Sequence, residues 1–275
     1  KKCLPSLVKE YNFWNSGVHK VTIRDLQGQE HSLSRFYAFW NSPRPESATI
    51  DKKSASNLLS PIDKGVFYRQ VASAAETGWD FSSRWMSNSS DITTLSTTFI
   101  IPVDLNTYLC KVELDIAIFA KKLGDVKTSE NFLKASKARK SAMKSIFWNQ
   151  EKNQWLDYWL NSSDCEVVHQ FEARNQNDQI FISNFIPIWN WGLFSGVDED
   201  NSILESILKS FQISGLVQPA GIATSILNSG QQWDYPNGWA PLQHIIIEGL
   251  SNSGSKAART LSEDIAVRWI RTNYA

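Results

Sequence analysis

The sequence is organised around the decapeptide ETGWDFSSRW, which occupies residues 76–85. It combines two carboxylates, one glycine, one arginine and three aromatic side chains. A buried helix or strand excludes acids and arginines that have no partner, because burying an unpaired charge is unfavourable. A loop that faces only water has no use for three large aromatic rings. The decapeptide therefore predicts a concave polar site with aromatic walls.

Asp80 is the first candidate catalytic residue, because it lies between Trp79 and Phe81. Its two aromatic neighbours would partly exclude water from its carboxyl group. Desolvation raises the pKa of a carboxyl group, so that a proton remains available near neutral pH. We therefore predict that Asp80 donates a proton. Glu76 lies four positions earlier on the same short loop, and it is poorly placed to act from the opposite face of a bound molecule.

The composition favours an uncharged small molecule as the substrate. The 275 residues include 28 Lys+Arg and 28 Asp+Glu, so the formal net charge is zero. A neutral chain gives no electrostatic reason to expect nucleic acid or an anionic membrane as a partner. The 12 tryptophans suit sugar rings, because an indole stacks on an apolar C–H face while the hydroxyl groups take hydrogen bonds. Helical cores also use tryptophan, so any single one could instead be structural.

The cysteines and two glycosylation patterns bear on the cellular compartment. Cys3, Cys110 and Cys165 have no metal-like spacing, and their odd number implies no disulfide framework. Asn88 and Asn161 each begin an Asn-Ser-Ser acceptor pattern, which matters only in a secreted protein. No apolar run reaches the length of a membrane span. We expect an extracellular or plasma-membrane-associated protein, with any anchor outside these residues; a cytoplasmic location is the alternative.

The hydrophobic pattern predicts a mostly α-helical chain, since apolar residues recur at helical spacing. The predicted helices cover residues 1–16, 65–75, 104–123, 129–147, 182–192, 199–213, 238–250 and 256–272. The other predicted features are a hairpin closing near Gly28, short strands in 148–160, and irregular segments at 48–64 and 161–178. Antiparallel helix pairs without a repeat or a linker favour one domain over residues 1–275.

A second candidate segment is PRPES, residues 43–47. Its two prolines fix the backbone in an extended form and exclude a helix. Arg44 and Glu46 would therefore be held rigidly, where they could bind a polar ligand. The alternative is an ordinary proline-rich loop in which these two side chains form an ion pair that faces solvent.

A third candidate segment is the loop GQQWDYPNGWAP, residues 230–241. Its amide side chains supply donors and acceptors for hydroxyl groups, while Trp233, Tyr235 and Trp239 supply stacking faces. We interpret the loop as lining a binding site. The alternative is a structural loop in which Asp234 caps a helix or braces the turn.

Other reaction classes fit the sequence less well. The four histidines lack the spacing of a metal site, and there is neither a glycine-rich phosphate loop nor a Gly-x-Ser-x-Gly elbow. Hydrolysis of a glycosidic bond by two carboxylates needs only an acid, a base and aromatic-polar subsites. The residues therefore favour a glycoside hydrolase.

Several segments of the chain resemble the α,α-trehalases, glycoside hydrolase family 37. In chain order they are PRPES (43–47), AETGWDFSSRWM (75–86), PVDLN (102–106), SNFIPIW (183–189), GIATS (221–225), GQQWDYPNGWAPLQ (230–243) and WIRTNY (269–274). The stretch 230–250 resembles plant members most. The resemblance implies an all-α (α/α)6 barrel, here incomplete, and hydrolysis of trehalose to two glucose molecules with inversion at one anomeric carbon.

The resemblance also assigns roles to individual residues. Asp80 would be the general acid that protonates the glycosidic oxygen, and Gly78 would line the same pocket. Arg44 and Glu46 would hold sugar hydroxyl groups, and Trp233 would lie close to the substrate. The expected partner is thus a small molecule, trehalose, and no metal or organic cofactor is expected.

Two segments of the family pattern have no counterpart in residues 1–275. One is an upstream signature ending in Tyr-Trp-Asp-Ser-Tyr, and the other is a downstream glycine-rich segment that carries the catalytic base, a glutamate. Inversion requires that base across from the acid, roughly 6.5–9.5 Å away, so that water fits between them. We therefore expect residues 1–275 to be part of a trehalase catalytic domain and inactive by themselves. The alternative is a catalytically dead carbohydrate-binding or structural homologue.

Overall fold

The computed structural model describes residues 3–190 and 201–274, and α-helices dominate it. The helices are α1 Leu4–Trp14, α2 Ala48–Ser54, α3 Pro61–Glu76, α4 Val103–Lys122, α5 Val126–Ile146, α6 Asn201–Ile213, α7 Ala240–Asn252 and α8 Lys256–Tyr274. A 3₁₀ helix covers Ile182–Asn190. None of the helices in these two ranges is long and apolar enough to cross a membrane. The all-α class predicted from the sequence is confirmed.

Short strands connect the helices. They are β1 Lys20–Arg24, β2 Glu30–Ser34, β3 Ile100–Ile101, β4 Trp148–Asn149, β5 Gln154–Trp155, β6 Tyr158–Trp159, β7 Val168–Gln170, β8 Val217–Gln218 and β9 Gly221–Ile222. β1 and β2 form the predicted hairpin, with Val21 opposite Leu33, and β7 joins β1 in parallel. The remaining strands pair as β3 with β6, β4 with β5, and β8 with β9.

The longer helices pack in pairs that share one core. α4 packs along α5, and α7 packs against both α8 and the 3₁₀ helix. The approach of α7 to the 3₁₀ helix is close, since a Cβ atom on Gly249 would lie 2.8 Å from the backbone of Trp189. The same hydrophobic cluster contains Trp79 and Trp85 together with Ile246 of α7. The decapeptide identified in the sequence is therefore anchored in the core by its first and last tryptophans.

The segment 48–64 was predicted to be irregular, and this prediction is wrong. It contains α2 and the first turn of α3. Ser60 caps α3, because its Oγ accepts a hydrogen bond from the Ile62 N–H at 3.1 Å. Pro61 occupies the first turn of α3. The N–H groups of a first turn have no partner inside the helix, so the N–H that proline lacks is not needed there. The segment is mostly polar, so it lacks the apolar spacing from which a helix is predicted. A short helix and a first helical turn can form with few apolar residues.

The predictions for two proline-containing segments are also corrected. Arg44 is extended as predicted, with φ −64° and ψ 135°, but Pro45–Ser47 forms a 3₁₀ turn instead of continuing the extended backbone. The helix predicted at 182–192 is a 3₁₀ helix up to Asn190, and Pro187 inside it has no N–H to give to an α-helical hydrogen bond. Positions 191–192 of that prediction, and 199–200 of the next predicted helix, lie outside the described residues.

Candidate active site

The loop that carries Asp80 begins where α3 ends. Gly78 has φ +76°, a left-handed conformation that glycine adopts without strain, and a Cβ atom there would meet no atom within 4 Å. The Thr77 Oγ1 accepts a hydrogen bond from the Trp79 N–H at 2.9 Å, which fixes the turn. Trp79 is buried, whereas Asp80 and Phe81 are half-buried. The chain thus leaves the helix through a glycine with open space beside it, two residues before the half-buried Asp80.

A second loop, residues 229–239, binds the loop that carries Asp80. The Trp233 N–H donates to the Phe81 carbonyl at 3.0 Å, and the Gln232 side-chain amide donates to the Asp80 carbonyl. Two candidate segments separated by about 150 residues in the sequence therefore form one structure. The peptide bond between Asp80 and Phe81 is cis.

Asp234 braces these two loops and does not cap a helix. It is fully buried, and its Oδ1 accepts a hydrogen bond from the Ser82 Oγ at 2.7 Å. Its Oδ2 accepts hydrogen bonds from the Ser83 N–H at 2.8 Å and from the Ser229 hydroxyl. The structural alternative considered for Asp234 is therefore correct for this residue.

Three tryptophans form a parallel stack at the loop that carries Asp80, residues 77–83, which we call the acid loop. The rings of Trp79 and Trp233 lie 5.5 Å apart at 17°, and those of Trp233 and Trp239 lie 4.3 Å apart at 6°. The Trp239 indole N–H also donates to the Gln232 carbonyl at 3.0 Å. Trp233, predicted to lie near a substrate, is the half-buried middle ring of this stack. Because Trp79 and Trp239 cover the two faces of Trp233, this middle ring offers a ligand its edge and not a stacking face.

Arg44 brings the PRPES segment to the same place. Its guanidinium lies over the Phe81 ring, 5.2 Å from the centroid, and its Nε and Nη2 donate to Asp51 at 3.1 Å and 2.9 Å. The hydrogen bonds of Asp51 raise the pKa of Arg44 against the opposing effect of burial, and the charges of Glu46 and Asp80 act in the same direction. Arg44 and Asp80 are thus close enough to interact electrostatically. Arg44 itself is buried, so the solvent-facing ion pair considered for it is excluded.

The other acidic candidates lie at the surface. Glu46 is exposed, and it reaches Arg44 through its charge without a hydrogen bond to any described residue. Glu76 is exposed at the end of α3. The structure brings together the predicted residues Asp80, Gly78 and Trp233 with Arg44, while Glu46 lies at the edge of this group.

Sequence reasoning missed the role of Arg84, which lies beneath the site and not in it. Arg84 is fully buried and donates to both oxygens of Asp104, at 2.6 and 2.9 Å, and of Asp157, at 2.7 and 2.9 Å. Its guanidinium lies 4.5 Å from the ring centroid of Trp79 and 4.4 Å from that of Trp85. Arg84 therefore supports the floor of the acid loop.

Neither metal ligands nor disulfides contribute to this arrangement in the part of the chain that the structure describes. Residues 3–190 and 201–274 contain no group of three or more His, Cys, Asp and Glu side chains that could hold a metal ion. Cys3 is exposed, Cys110 is buried and Cys165 is half-buried, and all three are free thiols. The chemistry available at the site is that of a carboxyl group, an arginine and aromatic faces.

Comparison with known proteins shows what the chain is similar to. The trehalase family model matches residues 1–275. The probable trehalase of Oryza sativa subsp. japonica is 58% identical over 279 residues, which cover 100% of this chain and 49% of the rice protein. The trehalase of Arabidopsis thaliana is 51% identical over 274 residues, which cover 100% of this chain and 43% of that protein.

Solved structures share the fold at lower identity. Neutral trehalase Nth1 from Saccharomyces cerevisiae superposes with a TM-score of 0.68 at 21% identity, covering 97% of this chain and 49% of the yeast chain. The GH63 mannosylglycerate hydrolase from Thermus thermophilus, in complex with glucose, gives 0.51 at 13% identity, covering 82% of this chain and 63% of that chain.

The likeness to both solved neighbours shows that this chain shares their fold. The family-model match over the whole chain then shows that it belongs to the trehalase family. The predicted resemblance is confirmed, and two plant trehalases are more than half identical to the chain. The chain spans about half the length of the curated relatives it matches.

Proposed function

We propose that residues 1–275 are part of a single catalytic domain that hydrolyses α,α-trehalose to two glucose molecules. Membership of the trehalase family supports this proposal. The observation that carries it is the convergence of Asp80, Arg44 and the tryptophan stack at one half-open loop. In this proposal the helix pairs belong to an incomplete (α/α)6 barrel whose loops hold the sugar.

The proposed roles follow from the positions of the side chains. Asp80 protonates the glycosidic oxygen as the bond to the anomeric carbon breaks. Arg44, held by Asp51, donates hydrogen bonds to sugar hydroxyl groups, and exposed Glu46 accepts one. The open space at Gly78 admits the ring, and Trp233, whose faces are covered by Trp79 and Trp239, contacts the sugar through the edge of its indole.

Inversion needs a base that activates water on the face of the sugar opposite the acid. Glu76 and Glu46 belong to the same side of the site as Asp80 and Arg44, because each lies on or beside their loops. We propose that the base is a glutamate outside residues 1–275, and that these residues alone do not complete a turnover. A second reading, a carbohydrate-binding homologue without catalysis, predicts binding of trehalose without release of glucose.

Asp80→Asn in the natural full-length protein tests the proposal. The amide keeps the shape of the side chain but supplies no acidic proton, so we expect glucose release from trehalose to fall by about 10²–10⁴-fold. Asp63→Asn, in the exposed first turn of α3, is the matched control and should keep wild-type activity. Unchanged turnover in Asp80→Asn would reject Asp80 as the acid.

The stereochemistry provides a second measurement on the same protein. Attack by water with inversion at one carbon of α,α-trehalose gives one β-glucose and one α-glucose. Proton NMR during the first minutes of the reaction should therefore show both anomers in equal amounts. Formation of α-glucose alone would contradict inversion, and absence of any glucose would favour the non-catalytic reading.

The same proposal includes an extracellular or plasma-membrane-associated location. Asn88 and Asn161 are both exposed, as attachment of a glycan requires. Any membrane anchor would lie outside the described residues, and cytoplasmic residence is the alternative.

A further inference from the structure

The buried carboxylate of Asp234 has no cation as a partner among the described residues. Its hydrogen-bond donors are two serine hydroxyls and the backbone N–H of Ser83. Removing a carboxylate from water is unfavourable unless hydrogen bonds satisfy both of its oxygens, and such charge-assisted bonds are stronger than neutral ones. A neutral residue would join two loops with a smaller desolvation penalty. The presence of a carboxylate here, in contact with residues 82 and 83 of the acid loop, therefore needs a physical reason.

The contacts between the two loops form a continuous series. Residue 80 is bonded by residue 232, residue 81 by residue 233, and residues 82 and 83 by residue 234. Asp234 is the member of this series that holds two consecutive residues of the acid loop. It also binds Ser229 at the start of its own loop. One carboxylate thus determines how residues 82–83 lie against the core.

The side chain of Asp80 lacks such support. Its carboxyl group makes no hydrogen bond to another described residue and interacts electrostatically with the guanidinium of Arg44. The position of this carboxyl therefore depends on the backbone that carries it. A general acid must come within hydrogen-bond reach of the oxygen that it protonates. An error of about 1 Å in such a position can lower the rate by about 10²-fold.

We propose that Asp234 is a positioning residue, which holds the acid loop so that the Asp80 carboxyl meets the glycosidic oxygen. This inference rests on the proposed function of Asp80. Asp234 does not touch the substrate. It acts through Ser82 and Ser83, so we expect its removal to displace Asp80 more than Trp79, which is buried in the core, and Arg44, which is held by Asp51.

The test compares two substrates in the natural full-length protein. Trehalose needs a proton on its leaving oxygen, whereas α-glucosyl fluoride releases fluoride as an anion that takes the bonding electrons and needs little help from an acid. For Asp234→Ala we expect kcat on trehalose to fall by about 10²-fold, with KM changed by no more than about twofold. With α-glucosyl fluoride, we expect kcat to stay within about threefold of wild type.

A conservative variant separates the two oxygens of the carboxylate. The Asn side chain keeps one carbonyl that can accept the Ser83 N–H, while its amide can donate to the Ser82 oxygen. Asp234→Asn should therefore restore most of the lost activity, to about tenfold below wild type on trehalose. If the alanine variant does not fold, the asparagine variant carries the test, since it should show the same loss on trehalose alone.

Asp25→Ala is the matched control, because Asp25 is a buried carboxylate that braces a turn outside the site. It accepts the N–H groups of Gln27 and Gln29 in the turn between β1 and β2, at 3.0 and 2.9 Å. This variant should keep wild-type kcat on both substrates. Equal losses on the two substrates in Asp234→Ala, or an unchanged kcat on trehalose, would overturn the inference. Retained turnover in Asp80→Asn, measured in parallel, would instead reject Asp80 as the acid, the part of the proposed function on which this inference rests.

Discussion

Two arginines of this protein, Arg84 and Arg44, are both buried and both make bidentate contacts with carboxylates, yet they differ in how completely these carboxylates satisfy them. Arg84 is 0% exposed and has two carboxylates, Asp104 and Asp157, each of which accepts two of its hydrogen bonds. Burial alone would lower the pKa of its guanidinium, but the two carboxylates more than compensate and raise it. Every direction around this cation is occupied by a partner, so it has no capacity to bind a ligand.

Arg44 is only partly satisfied by the protein. It is 8% exposed, has one bidentate carboxylate in Asp51, and makes no hydrogen bond through its Nη1 to any described residue. Its guanidinium covers one face of Phe81 beside the acid loop. Arg44 is therefore held rigidly but has a donor left over, which is what a binding residue requires.

The difference shows that pairing with a carboxylate does not by itself tell an arginine that is fully satisfied in the core from one that has a donor left for a ligand. The two arginines differ in the number of carboxylates that they bind, two for Arg84 and one for Arg44. They also differ in whether a hydrogen-bond donor remains available beside the acid loop. A sealed arginine should affect stability and hardly affect the rate per folded molecule. A buried arginine that has a donor left over should do the reverse. The following predictions test this distinction, beginning with the largest expected change in free energy.

Arg84→Met should lower the free energy of unfolding by about 3–5 kcal/mol, because it leaves Asp104 and Asp157 buried without a cation. Urea unfolding of the natural full-length protein, followed by circular dichroism, measures this loss. The control is Arg24→Ala, which removes an exposed ion pair with Glu30 at 2.6 Å and should cost about 0.2–1 kcal/mol. Similar losses in the two variants would show that the Arg84 cluster is not sealed.

Asp51→Asn should lower kcat/KM for trehalose by about tenfold, since Arg44 loses one of the charged contacts that fix its orientation. Steady-state kinetics measures this effect, and a thermal melt monitors folding. The comparison variant is Asp104→Asn, on the sealed side, which should reduce stability more and kcat per folded molecule less. An unchanged kcat/KM in Asp51→Asn would remove the functional role from Arg44.

The next prediction concerns Glu113, which forms a buried ion pair with Arg139 but has one carboxylate oxygen without a hydrogen bond. Its Oε1 accepts hydrogen bonds from Arg139 Nε at 2.8 Å and from the Tyr11 hydroxyl at 2.9 Å, whereas its Oε2 has no partner among the described residues. Burial raises the pKa of Glu113 above its ordinary value of 4.5, and Arg139 only partly opposes this. The folded state therefore holds the proton more tightly than the unfolded state does.

The sign of the pH effect follows from linkage. The stabilising contribution of Glu113 is fully present below pH 4.5 and is lost as the pH rises through the raised pKa. Glu113→Gln cannot ionise, so its free energy of unfolding should increase relative to wild type as the pH rises from 4.5. Urea unfolding at a series of pH values measures the two curves. Parallel curves would contradict the raised pKa.

The helices could be predicted because their signal is local. The pattern in residues 104–123 placed α4 within one residue at each end, since apolar positions at helical spacing lie within the helix itself. α2 was missed because it is short and largely polar, and it carries few residues that report a buried face. The 3₁₀ geometry at 182–190 could have been suspected from Pro187, whose missing N–H opposes an α-helix.

The candidate site could be predicted only in its components. Asp80, Arg44 and Trp233 were identified from the unusual chemistry of their own segments and from the family resemblance. The series of bonds between residues 80–83 and 232–234 left no signal in either segment, because its partners are about 150 residues apart. From the sequence, a bracing role for Asp234 was therefore one of two alternatives. The structure supports this role by showing the contacts of Asp234 with Ser82 and Ser83.

By itself, the sequence determined the all-α class, the positions of most helices and the family, and it singled out Asp80 as the residue that we propose to be the acid. These properties depend on short-range spacing and on residue types, and both can be read directly from the sequence. Only the tertiary structure decided that Arg84 is sealed in the core while Arg44 borders the site. Both arginines lie in segments that the sequence had singled out as motifs, so the segments by themselves do not separate the two roles. The distinction arises because burial and charge pairing depend on residues far away in the chain, such as Asp157, which lies 73 positions from Arg84.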